Sequence, residues 1–83
     1  MTAEEKERLI NEQYEIIMQN ENLLNDEDYK VIKCAEAKVQ DREMPYDTVE
    51  LIARRNGYRK AINDAQERIR ELEEIEPEAV ETE

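Results

Sequence analysis

Residues 47–75 read DTVELIARRNGYRKAINDAQERIRELEEI, and the spacing inside this stretch decides the fold. Leu51, Arg55, Tyr58, Ile62, Ala65, Ile69 and Leu72 follow one another at alternating steps of four and three residues. A 3.6-residue repeat gathers side chains spaced in this way along one line of an α-helix, whereas a half-buried strand alternates every two residues. Nearly everything between them is charged or polar, so the line is a seam on an otherwise wetted rod. Asp47 followed by Glu50 has the spacing of a capping box. The stretch is predicted as one helix over 47–75, about 43 Å long at a rise of about 1.5 Å per residue. Gly57 lies in phase within it, so the helix is predicted to run through. The glycine costs about 1 kcal/mol relative to alanine there, which points to a close backbone approach or a bend.

Upstream, Thr2 and Glu5 form a second capping-box pair, and Glu4, Glu5 and Glu7 suit the positive end of a helix dipole. Apolar doublets then recur every seven residues, Leu9 with Ile10, Ile16 with Ile17 and Leu23 with Leu24, and Tyr14 and Met18 widen the stripe. Asn20, Asn22 and Asn25 predict an end to this first helix at about residue 21. Asn25 as N-cap, Asp26, Glu27 and Asp28 in the first turn, and Leu24 and Tyr29 at hydrophobic-staple positions predict a new start. That second helix is predicted over 26–42, with Tyr29, Ile32, Ala35 and Val39 on its inner line and Lys30, Lys33 and Lys38 outside. Met44-Pro45 stops it, because the residue before proline avoids helical angles.

The pattern therefore predicts an all-α, three-helix antiparallel arrangement: helix 1 over 3–21, helix 2 over 26–42 and a long helix 3 over 47–75. Together they make one domain over 1–75 with a disordered acidic tail over 76–83. A short Pro45-Tyr46-Asp47 link makes helices 2 and 3 a coiled-coil-like hairpin, setting Glu36 near Arg54, Ile32 near Tyr58 and Tyr29 near Ala61. The last turns of helix 3 overhang this hairpin. Ile69, Leu72 and Ile75 must then pack on helix 1, on a second copy or on a partner.

The composition sets bounds on function. Leu, Ile and Val total 17 of 83 residues, and Phe and Trp are absent, so the core is small and stability thin. The net charge of −11 disfavours direct contact with nucleic-acid phosphates or anionic lipid. No apolar run approaches the ~20 residues of a membrane helix, the N-terminus is acidic, and one cysteine forbids an internal disulfide. These features predict a cytoplasmic setting. No histidine is present, the carboxylates lack a calcium-loop pattern, and a single glycine excludes a phosphate-cradling loop. No enzyme, cofactor or metal site is therefore expected, and Cys34, off the inner line, reads as a semi-exposed thiol. Arg54, Arg55, Arg59 and Lys60 are a possible basic contact patch, or else pair with Glu36, Asp41 and Glu43 across the hairpin and with neighbours along their own helix.

The run from Leu24-Asn25-Asp26-Glu27-Asp28-Tyr29-Lys30-Val31-Ile32-Lys33 through Met44-Pro45-Tyr46-Asp47 to Arg54–Asn63 resembles helical-hairpin segments in small proteins of bacterial phages and prophages. The resemblance covers about residues 24–72 and leaves helix 1 outside. It implies a helper role in assembly, as for products of tail or structural gene regions, and no active-site residue. The function expected is thus a non-enzymatic protein–protein interaction protein, a homodimer with a further protein partner. Its contact candidates are Leu9, Ile10, Ile16, Ile17, Ile69, Leu72 and Ile75. The alternative is an acidic decoy that occupies a basic nucleic-acid-binding site on a host protein.

Overall fold

The computed structural model describes residues 1–77 and contains two helices, α1 (Ala3–Val39) and α2 (Thr48–Glu74). They run antiparallel in a rod of 73 × 16 × 15 Å. Both starts follow the capping logic. The Thr2 hydroxyl accepts from the Glu5 amide at 3.1 Å, and the Asp47 carboxylate accepts from the Glu50 amide at 3.1 Å.

The three-helix arrangement is overturned, because α1 passes unbroken through Gln19–Asp28. Three asparagines inside a helix cost only about 2 kcal/mol relative to alanine. A break would forfeit about four intrahelical bonds and disturb the phase of a seam shared by both halves. Ile10, Ile17 and Leu24 recur every seven residues on this seam, and Gln13, Asn20, Glu27 and Cys34 recur every seven on its adjoining line; all are half-buried or buried. Asn20 turns its amide onto the Ile16 carbonyl at 2.8 Å, so the polar side chain is satisfied without ending the helix. The cap signal at Asn25–Asp28 is local. The uninterrupted face of α2 outweighs it.

Within α2, the predicted seam is the inner face. Leu51, Arg55, Ala65, Ile69 and Leu72 are buried, and Tyr58 and Ile62 are half-buried. The helix continues through Gly57, where an added Cβ would meet nothing within 4 Å. No neighbouring backbone approaches, so the glycine serves no packing need. Gly57→Ala is expected to raise stability by about 1 kcal/mol, or about 4–8 °C in a thermal melt followed by circular dichroism.

The hairpin register also differs from the predicted one. Arg54 meets Glu27, and Lys6 reaches the carbonyl of Ile75, so facing residues sum to 81 (54 + 27 and 75 + 6). The predicted pairs, such as Glu36 with Arg54, sum to 90, a displacement of nine positions. The cause is how α1 stops. Asp41 adopts a left-handed φ of 55°, the Arg42 amide donates to Ala37 at 2.8 Å, and the Asp41 amide donates to Lys38 at 3.2 Å. This pair of bonds is a Schellman motif with aspartate where glycine is commonest. It ends α1 at Val39, before the proline is reached, and turns residues 40–47 back along the helix they have left. The Tyr46 ring, half-buried, therefore stands edge-on to Tyr29 at 6.3 Å between centroids, with the Lys30 ammonium 5.5 Å from its centre. Burial pushes the Tyr46 phenol up from its ordinary range, with Tyr29 and Cys34 adding to the shift.

The continuity of α1 removes the overhang. The last turns of α2 lie along the first turns of α1, where the Lys6 ammonium donates to the carbonyls of Glu73 at 3.2 Å and Ile75 at 2.9 Å. A cation on the last carbonyls of a helix satisfies groups that the helix itself leaves open. Beyond Pro77, the predicted disordered tail lies outside the described residues.

Candidate functional site

The basic cluster is divided between the hairpin interface and the surface of α2. Arg54 donates from Nε at 2.7 Å and lies 2.6 Å through Nη2 from one Glu27 oxygen, while its Nη1 lies 3.4 Å from Glu50. Glu27 is buried, and its other oxygen, Oε1, has no hydrogen-bond partner among the described residues. The bond to Glu27 pushes the Arg54 guanidinium further above its ordinary range. Arg55 is also buried; it donates from Nη1 to the Leu24 carbonyl and from Nη2 to Asp28, each at 2.8 Å. Arg59 donates to Asn56, and Lys60 pairs with Asp64 one turn on. Across the hairpin the acids engaged are thus Glu27 and Asp28, not the predicted Glu36, Asp41 and Glu43, while Glu50 and Asp64 are neighbours on α2 itself. The nine-position displacement accounts for the change of partners across the hairpin.

The contact candidates fall mainly inside the molecule. Ile69 and Leu72 are buried, and Leu9, Ile10 and Ile17 are half-buried. Ile16 and Ile75 stand at the edge, each 37% exposed. Cys34, expected to be semi-exposed, is buried.

A different set of apolar side chains points outward. On α1, Tyr14 is 53% exposed, Met18 and Ile32 are each 57% exposed, and Val39 is 86% exposed; on α2, Val49 is 78% exposed. The predicted inner line of residues 29–39 is therefore largely the outer face: Tyr29, Ile32, Ala35 and Val39 face solvent, while Lys30 is half-buried and Cys34 and Ala37 are buried. The reason is continuity. The N-terminal half of α1 fixes which side meets α2, and the same seam carried past residue 28 passes through Cys34 and Ala37. A signal for the outer face was present in the spacing, since Tyr14, Met18, Glu21, Asn25, Asp28, Ile32, Ala35 and Val39 also step by four and three. It emerges only when α1 is read as one helix.

Surface depressions lie among the described residues of both ends of the rod. One lies beneath the link, lined by Lys33, Glu36, Ala37, Arg42, Glu43 and Pro45. The second, about 300 Å³, is bounded by Ile32, Ala35, Glu36, Val39 and Gln40 on the outer face of α1. The third lies between the start of α1 and Pro77. Among the described residues, no group of three or more Cys, Asp or Glu side chains is placed to hold a metal ion. No helix there is long and apolar enough to cross a membrane. No protein-family model, curated protein or solved structure matches the chain.

Proposed function

We propose that this chain is a non-enzymatic helical interaction protein of phage or prophage type, a cytoplasmic assembly helper that acts through its amphipathic helix faces and through self-association. The observation that carries this reading is the distribution of apolar side chains. Among the described residues six apolar residues are buried, two of them alanine, while twelve large apolar residues are exposed. A two-helix rod with so small a core lies below the size at which a lone domain is comfortably stable, and covering the outer stripe supplies what is lacking. The phage assignment rests on the resemblance over residues 24–72. Sedimentation or light scattering at tens to hundreds of micromolar is expected to give a dimer; a strict monomer throughout that range overturns self-association.

A second reading, an acidic decoy for a basic nucleic-acid-binding site, is favoured by the bonding of the basic cluster. Arg54, Arg55 and Lys60 are engaged with the chain's own acids, so in a chain of net charge −11 the main cation cluster is internally occupied. Salt separates the two. Decoy binding to a basic protein weakens steeply as salt rises, whereas association of two chains of like charge strengthens.

A further inference from the structure

We infer that the outer face of α1 is the surface on which two copies of this chain pair, antiparallel, about a two-fold axis that passes between Asn25 and Asp28. The inference rests on the self-association proposed above and specifies where and in what register it happens.

The depression on this face has the shape that helix packing requires. Ile32, Ala35, Glu36 and Val39 border it, and these are positions i, i+3, i+4 and i+7, the four residues that form a hole for a knob from a facing helix. A helix carrying an exposed apolar knob fits such a hole. Met18 and Tyr14 are such knobs on the same face of the same helix.

A two-fold axis then fixes the arithmetic. In an antiparallel pair, facing positions have a constant sum; seating Met18 of one copy opposite Ala35 of the other sets it at 53 (18 + 35). The remaining positions fall into place. Tyr14 comes opposite Val39, Glu21 opposite Ile32, and Asn25 opposite Asp28. A large side chain meets a smaller one at each end, and no two carboxylates of the stripe are opposed. At the centre, the Asn25 amide stands opposite Asp28, which is 55% exposed although one oxygen is held by Arg55. A polar pair at the axis of a seam whose two ends are apolar specifies register. The overlap from residue 14 to residue 39 is about 39 Å at a rise of about 1.5 Å per residue. It leaves α2 of each copy on the far side, so the dimer is a layer of four helices with the two α1 helices in the middle.

The test uses full-length chains in a Cys34→Ala background, so that introduced thiols are the only ones. One chain carries Met18→Cys and another carries Ala35→Cys, both at exposed positions. A short bis-maleimide is expected to give covalent dimer from the equimolar mixture and little from either variant alone. Val39→Glu is expected to weaken dimerisation at least tenfold with unchanged helical content by circular dichroism. Cross-linking of either variant with itself, from parallel copies or from an axis at the introduced thiol, overturns the register. A dimer that neither cross-links in the mixture nor responds to Val39→Glu overturns the surface while leaving self-association standing. A strict monomer removes both.

Discussion

Leu72→Ala is expected to cost about 3 kcal/mol and to lower the thermal midpoint by more than 10 °C, the largest effect of any single truncation of an apolar side chain in the rod. Among the described residues Leu72 is the one large side chain with no solvent exposure. In a register summing to 81 it lies level with Leu9, beside Ile10, where the first doublet of α1 closes over the end of α2. Truncating a fully buried leucine removes its transfer free energy and leaves a cavity, at about 2–5 kcal/mol. For a chain of this size the whole folding free energy is about 4–12 kcal/mol, so the loss is a large share. A rigid-body adjustment could close part of the void, but the Lys6 bonds to Glu73 and Ile75 hold this end together. Val49→Ala is the matched control: a valine 78% exposed on the outside of α2, expected to change stability by less than about 0.5 kcal/mol. Denaturant melts of both variants at concentrations where the chain is monomeric decide the matter. Equal losses would mean that the assigned inner face of α2 is wrong.

How far this arrangement could be read from residue order differs between the two helices. The inner face and bounds of α2 were legible because its seam repeats for seven positions and its N-cap is unambiguous; helix 47–75 became Thr48–Glu74. The start of α1 was legible for the same reason at Thr2. Its middle was not. Asn25-Asp26-Glu27-Asp28 carries every local sign of a helix start, and only the partner helix, distant in sequence, makes a continuous rod the better solution. That single misreading propagated, because a helix begun afresh at residue 26 is free to choose its inner line. Ile32, Ala35 and Val39 are its most apolar choice. The true inner line contains Glu27, Lys30 and Cys34, which look like surface residues until Arg54 and the returning Tyr46 are in view. The link was illegible for a related reason. Aspartate at the left-handed position of a Schellman motif gives no signal comparable to glycine, so the turn appeared to lie at Pro45 and the register was misplaced by nine.

Arg55 gives the second large effect, and its sign depends on what replaces it. Its side chain lies on the α2 seam between Leu51 and Tyr58, with the guanidinium held by the Leu24 carbonyl and Asp28. Arg55→Ala removes the packed stem and two charge-assisted hydrogen bonds, so a loss of about 3 kcal/mol is expected. Arg55→Leu restores the packing and takes the charge out of the interface. Asp28, 55% exposed, returns to water cheaply, and the Leu24 carbonyl lies within α1, whose own backbone bonding does not depend on the arginine. The leucine variant is expected to be neutral or more stable than the parent by about 1–2 kcal/mol, as when buried ion pairs elsewhere give way to apolar side chains. Uniqueness is then what the arginine contributes. With leucine at position 55, the middle of the α2 seam is apolar, and the Arg54–Glu27 pair and the Lys6 contacts are the polar contacts across the hairpin that still oppose sliding by one heptad. Sliding carries the link with it, so the contact between the Tyr46 and Tyr29 rings reports it. The expected outcome by NMR is a single set of Tyr46 ring signals in the parent and doubled or broadened signals in Arg55→Leu. A leucine variant that loses as much stability as the alanine variant would show that the arginine's hydrogen bonds stabilise the fold outright, and its role in setting register would have to be given up.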